Sequence, residues 1–413
     1  MKTKIPTIIK LTFIVIFLNT VIESFLLFTE DRTLIISVQL LLNGILFYRF
    51  FILSRTNIQK PKLSVLTFTI IIYFIVLSLF SSNMIVTFNY LIKFLIPFFY
   101  LLIGYSILNK PDYIGYFIRK SWFFLAYFSI YIIIVNVLGI GESFYKGGIK
   151  MGYYSLNGIY VPTFSIIVII YNLKMIKSKI ERYFSILFSI TSIIILILLL
   201  KRTLVILIFV SFIFYFFKKI SLIRILRITL FSILFLVVFS NFSYLLEDSI
   251  ASRKGRFDKE YDVTNEGRFV ENIKVYALMK DSPLKLLFGT GEVFNDRMFL
   301  SKSFDVDREA HNSYIRIFWN GGFVGLLLFL SFYYKQFTEI LKNFYTAKKL
   351  NNFYLLNLFY FGCIFILLRF FNDFSSGITY LGYNAFSYLL IGSILRIGKE
   401  YKVQIATNKT NTK

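Results

Sequence analysis

The chain has 413 residues, 57% of them apolar and 16% charged, with a formal net charge of +24 and a mean hydropathy of +0.69. Soluble domains run at about 45–50% apolar and about a quarter charged, so a water-soluble globule is excluded and a polytopic membrane protein follows. In a soluble chain 46 basic against 22 acidic residues would point to nucleic acid; in a membrane chain such an excess sets orientation instead.

Twelve apolar runs predict an all-α polytopic membrane protein of about 12 transmembrane helices, at about 8–28, 34–53, 63–80, 85–108, 114–139, 157–173, 183–200, 204–217, 222–240, 313–334, 350–370 and 376–396. Runs near twenty residues suit a helix crossing about 30 Å, and no run alternates like a barrel strand. The first follows Lys2 and Lys4 but has no small-x-small cleavage site, so an uncleaved helix is expected. The predicted organisation is helices one to nine over 1–240, a large outer loop over 241–312, helices ten to twelve over 313–396, and a polar cytoplasmic tail over 397–413.

With the amino end inside, the inner connections collect 27 basic residues against the four acids Asp112, Glu181, Glu339 and Glu400. The remainder is nearly neutral. By the positive-inside rule both termini are cytoplasmic and the large loop is outside. The basic balance is thus absorbed by topology, and no nucleic-acid partner is expected.

The outer loop is far longer than the 2–8 residues of an ordinary helix connection. It holds thirteen of the 22 acids. Within TNEGRFVENIKVYALMKDSP, Phe269, Ile273, Tyr276 and Met279 recur at helical spacing, with Asn265 as a candidate cap and Pro283 as a stop; a small helical lid with an apolar underside is expected.

Chemistry-bearing residues are few. One histidine and one cysteine, Cys363, preclude a His/Cys zinc cluster and an intramolecular disulfide, and no HExxH or P-loop sequence occurs. Lys201-Arg202 joins two short spans. Residues 183–217 make about 52 Å of helix against about 60 Å for two full crossings, so the turn is predicted to lie below the outer surface, where a charge faces a polar cavity or snorkels. Arg268 falls in the first turn of the predicted lid helix, suited to phosphate or simply solvated. His311, next to Asn312, suits a general base near neutral pH or an interfacial polar residue. Lys93 and Arg369, also within spans, rank second. Asp305 and Asp307 are read as solvated acids, with a metal site as the minor alternative.

Three segments in order resemble the O-antigen ligase and polymerase superfamily, membrane glycosyltransferases that handle polyprenyl-diphosphate-linked glycans. LLLKRTLVIL is similar to the family's basic turn, with Arg202 matching and Lys201 departing from its usual Ser. GRFVENIKVYALMKDSPLKLLFGTGEVF is similar to its outer loop, matched at Arg268, Pro283, Gly289 and Gly291. HNSYIRIFWNGGFVGLLLF is similar to its His-Asn start and Gly-x-x-Gly, matched at His311, Asn312, Gly322 and Gly325; Asn320 stands where many members have Glu.

The resemblance implies a polymerase joining lipid-linked repeat units, with His311 catalytic, Arg202 and Arg268 on the diphosphate, and Asn312, Lys201 and Arg316 in support. It implies no cofactor, a bacterial cytoplasmic (inner) membrane location within the lipid bilayer, polyprenyl-diphosphate-linked oligosaccharide as donor and acceptor, and a chain-length regulator as a candidate partner. Transfer to lipid A core by a ligase is the alternative within the family. A lipid-linked oligosaccharide flippase is the alternative from another class; it predicts paired repeats with broken helices.

Overall fold

The computed structural model describes residues 5–24, 32–53, 63–141, 149–152, 156–199, 202–217, 267–296, 299–300, 312–374 and 380–411. Their secondary structure is helical. In chain order the helices are α1 (Thr7–Ser24), α2 (Arg32–Tyr48), α3 (Ser64–Ser78), α4 (Met84–Ile107), α5 (Pro111–Lys120), α6 (Trp122–Val137) and α7 (Tyr160–Asn172). There follow α8 (Lys179–Leu198), α9 (Arg202–Phe217), α10 (Gly267–Lys280), α11 (Pro283–Phe288), α12 (Ser313–Lys349), α13 (Phe353–Asn372) and α14 (Leu381–Asn411). A helix lies at each predicted span except 222–240, which is outside the described residues.

Five helical stretches among the described residues are long and apolar enough to cross a membrane: Met84–Ile107, Pro111–Val137, Lys179–Leu198, Ser313–Lys349 and Phe353–Asn372. Shorter apolar helices accompany them. Their outer faces carry exposed Val65, Ile72, Ile85, Ile133, Ile190 and Leu327, a surface suited to lipid and not to water. This is a multi-pass membrane protein.

The described chain forms two compact units. The first comprises Met1–Ile16, Leu42–Ile114 and Asp262–Lys413. Its frame is the close pairing of α4 with α14, where a Cβ added at Gly104 would lie 2.1 Å from the Leu389 carbonyl oxygen and one at Gly392 would lie 2.2 Å from that of Leu101. Small residues let backbones approach where lipid removes the hydrophobic drive between helices. Gly362 on α13 likewise admits Ile340 and Ile394.

The second unit comprises Phe17–Leu41 and Gly115–Tyr261. Here α6 meets α8 through a Ser129–Ser192 hydroxyl hydrogen bond of 2.9 Å, and Tyr171 on α7 donates to the Ser211 carbonyl on α9 at 2.8 Å. Such bonds join apolar helices at defined points. Trp122 stacks on Phe184 beside a Lys120–Glu181 ion pair of 2.9 Å.

Three features differ from the sequence expectations. The tenth span is broken: α12 carries non-helical backbone at Gly322 (φ 58°, ψ −159°) and runs on to Lys349. The region read as a cytoplasmic tail, 397–413, continues α14 as helix to Asn411, with Ile397 still buried just past the predicted end of the span. Finally, α10 forms where the lid helix was expected and Met279 of the expected stripe is buried, but the other buried positions described on it are Glu271 and Val275, while Ile273 and Tyr276 are half exposed. Val275 and Met279, one turn apart, meet Phe318, Trp319 and Leu300, so the covered face shares Met279 with the expected stripe but is rotated away from Ile273 and Tyr276.

Candidate functional site

The start of α12 organises the site. Asn312 caps it, its side-chain oxygen accepting from the Tyr314 and Ile315 amides at 2.9 and 3.4 Å. This satisfies donors that a helix start leaves open. The first segment then ends at Gly322, and the break frees carbonyls that the surroundings take up. Trp319 accepts from the Thr290 amide at 3.0 Å and from the Thr290 hydroxyl at 3.2 Å. Gly321 accepts from the Tyr73 hydroxyl at 2.7 Å.

The loop after α11 fits against this break. Gly289 (φ 92°) and Gly291 (φ 78°) take left-handed backbone, which glycine adopts without steric cost. Asn320 is fully buried, and its side-chain oxygen accepts from the Phe294 amide at 2.7 Å. The Trp319 indole donates to the Glu292 carbonyl at 3.0 Å. Where the resemblance led to the absence of an acid at 320, the amide side chain ties the loop to the helix.

Arg316 occupies the first turn of α12 and is 1% exposed. Its Nε donates to Asp296 Oδ1 at 2.9 Å, and its guanidinium lies over Tyr90 at 5.0 Å and Phe294 at 5.8 Å. Burial on both sides makes the pair intolerant of losing one member. Arg316 therefore secures the loop to the helix.

Glu292 ties the same loop to the α3–α4 turn. Its carboxylate accepts from the Ser82 amide and hydroxyl at 3.2 and 2.9 Å, from Ser81 at 3.2 Å, and from Asn295 at 3.0 Å. Burial pushes this carboxyl up, but the hydrogen bonds from Asn295, Ser82 and Ser81 together outweigh it and hold the group below its usual value, since all of them favour the charged form.

Deeper in the same unit, Arg369 on α13 is 1% exposed. It donates from Nε to the Tyr333 hydroxyl at 2.9 Å and from Nη2 to Asn384 Oδ1 at 2.6 Å, and it lies 3.9 Å from the Tyr388 ring centre. The Tyr333 hydroxyl donates in turn to Asp373.

Of the residues singled out from sequence, Asn312 and Arg316 are thus brought to one helix start. Arg202 opens α9 and Arg268 is the second residue of α10, so each stands in the first turn of a helix. Arg268 belongs to the first unit and Arg202 to the second. His311, Lys201, Asp305, Asp307 and the candidate cap Asn265 lie outside the described residues. Among the described residues no group of three or more His, Cys, Asp or Glu could hold a metal ion.

Residues 187–330 match the family model described as O-antigen ligase. Over these residues, about a third of the chain, it is similar to the O-antigen ligase and polymerase superfamily. The matched region contains Lys201, α9, α10, α11 and the start of α12. The family is one of membrane glycosyltransferase-like enzymes acting on lipid-linked glycans. No curated protein matches the chain.

Sequence reasoning passed over Asp296, Glu292, Tyr333 and Asp373. Nothing in their spacing marks them, since the outer loop holds many acids and the spans many tyrosines. Arg369 did carry a signal, a lone cation in an apolar run, which by itself marks a functional candidate.

Proposed function

We propose that this protein is a polysaccharide polymerase, building an O-antigen, capsular or exopolysaccharide chain at the outer face of the bacterial cytoplasmic membrane. It transfers a glycan from polyprenyl diphosphate to a hydroxyl of another lipid-linked repeat unit. The acceptor oxygen attacks the anomeric carbon, the bond from that carbon to the diphosphate oxygen breaks, and the electron pair leaves on the diphosphate. The hydroxyl proton passes to His311.

The observation that carries this reading is the placement of two arginines within the matched region. Arg202 and Arg268 each fall in the first turn of a helix, α9 and α10. The helix dipole disfavours a cation there, whereas free N–H groups and a guanidinium fork together suit a diphosphate. Positive charge held ready for the leaving group is the stabilisation this reaction needs, and in this proposal arginine supplies it without a divalent cation. Lys201, Asn312 and Arg316 support these groups.

The test is reconstitution into liposomes with lipid-linked repeat units as the only glycan source. A ladder of products is expected, unchanged by EDTA and lost in Arg202→Ala, Arg268→Ala and His311→Ala. Loss of the ladder on chelation would overturn the metal-free mechanism. The description of the matching family as O-antigen ligase favours a second reading, transfer to lipid A core. Product formed only when lipid A core is added would establish that reading and remove the first.

A further inference from the structure

We propose that Arg369, Tyr333 and Asp373 form a positioning network that sets the start of α12, the segment that follows His311. The inference rests on the proposed glycosyl transfer for its kinetic part and on geometry alone for the rest.

Arg369 lies within the apolar bundle, 1% exposed, where a guanidinium is costly unless it is paired and hydrogen-bonded. Asn384, the Tyr388 ring and the Tyr333 hydroxyl surround it. Its counter-charge is Asp373, itself 1% exposed. Between them the Tyr333 hydroxyl accepts from Arg369 and donates to Asp373. A hydroxyl holding both roles has its proton direction set by its neighbours.

Asp373 also serves through its main chain. It caps the C-terminus of α13, and its carbonyl accepts from the Ser313 amide, the first of α12, at 2.9 Å. One turn earlier, the Phe370 carbonyl accepts from the Tyr314 hydroxyl at 2.7 Å. The carbonyl-rich end of one helix thus receives the amide-rich start of the next. A single residue joins the buried charge to the helix start. Stability alone is a weak reason to keep such a group, since apolar replacements of buried ion pairs are often neutral or stabilising. A geometric role two residues from the proposed base supplies the stronger one.

Tyr333→Phe removes the bridging hydroxyl and keeps the ring; Arg369→Lys keeps the charge and loses the fork. Each is compared with wild type by thermal unfolding, by amide exchange of the peptide spanning 312–320, and by steady-state transfer. Both variants are expected to unfold within a few degrees of wild type. Exchange at the start of α12 should rise at least tenfold and kcat fall at least tenfold, with KM for the lipid-linked donor changed less than threefold. Arg369→Gln should be worse than Arg369→Lys. Unchanged exchange at 312–320 in both variants overturns the network. Raised exchange in the variants, with a wild type that itself makes no glycan product, would keep the network and sink the proposed function.

Discussion

Gly322 and Gly289 meet backbone to backbone: a Cβ at Gly322 would lie 2.6 Å from the Gly289 nitrogen and 2.4 Å from the Leu287 carbonyl. One glycine of the loop's Gly-x-Gly, Gly289, and one of the long helix's Gly-x-x-Gly, Gly322, therefore share a single contact. The break in α12 makes room for the loop, and the loop in turn satisfies the Trp319 carbonyl through Thr290 while Tyr73 satisfies that of Gly321.

Gly322→Ala should consequently unfold at a markedly lower temperature than wild type. Its φ of 58° is strained for alanine, and the atoms it would strike are backbone. Gly291→Ala meets nothing within 4 Å and bears only the left-handed strain of about 1–2 kcal/mol. Equal melting shifts for the two would show that loop and helix do not depend on this contact.

Removing one member of the Arg316–Asp296 pair should cost about 3–5 kcal/mol, because it leaves a buried charge alone. Arg316→Met combined with Asp296→Leu should recover much of the loss. Thermal unfolding of the two single variants and the double variant checks this, and strict additivity of the losses would contradict it.

Glu292 makes stability depend on acidity. Its folded value lies below its ordinary value of 4.5, so the contribution is complete above that value and is lost as pH falls through the folded one. The melting temperature of wild type should exceed that of Glu292→Gln at pH 7, with the gap closing as the pH falls below the ordinary carboxylate value and through the folded one. A gap that persists in acid would mean that the carboxylate charge is not what holds the loop.

The two proposed diphosphate arginines should respond to charge and shape separately. Alanine at position 202 or 268 should lower kcat by about 10²–10³, the scale for losing a placed donor in a transition state. Lysine should fall between, since it retains charge without the planar fork. Turnover of lipid-linked donor measures both, and full activity with lysine would rule out bidentate recognition.

Composition was enough to determine an α-helical membrane protein, because burial in lipid imposes long apolar runs that any reading of the chain detects. Helix starts were legible too. Arg268 was placed by periodicity and punctuation, and Asn312 by its place before an apolar run, both local properties of the backbone, whereas Arg202 was read in the turn before the helix that it opens. Resemblance to the family identified the glycines, yet spacing did not explain them.

What only the tertiary structure decided was how these positions are used. That Gly322 breaks α12, that Val275 and Met279 are covered and Ile273 is not, that Arg316 belongs to Asp296, and that Asp373 joins Arg369 to Ser313 all depend on which segments approach in space. Charge and hydropathy accumulate along the chain and can be read in one dimension. The partner of a buried charge is chosen by packing among many equivalent candidates, and only the folded arrangement ranks them.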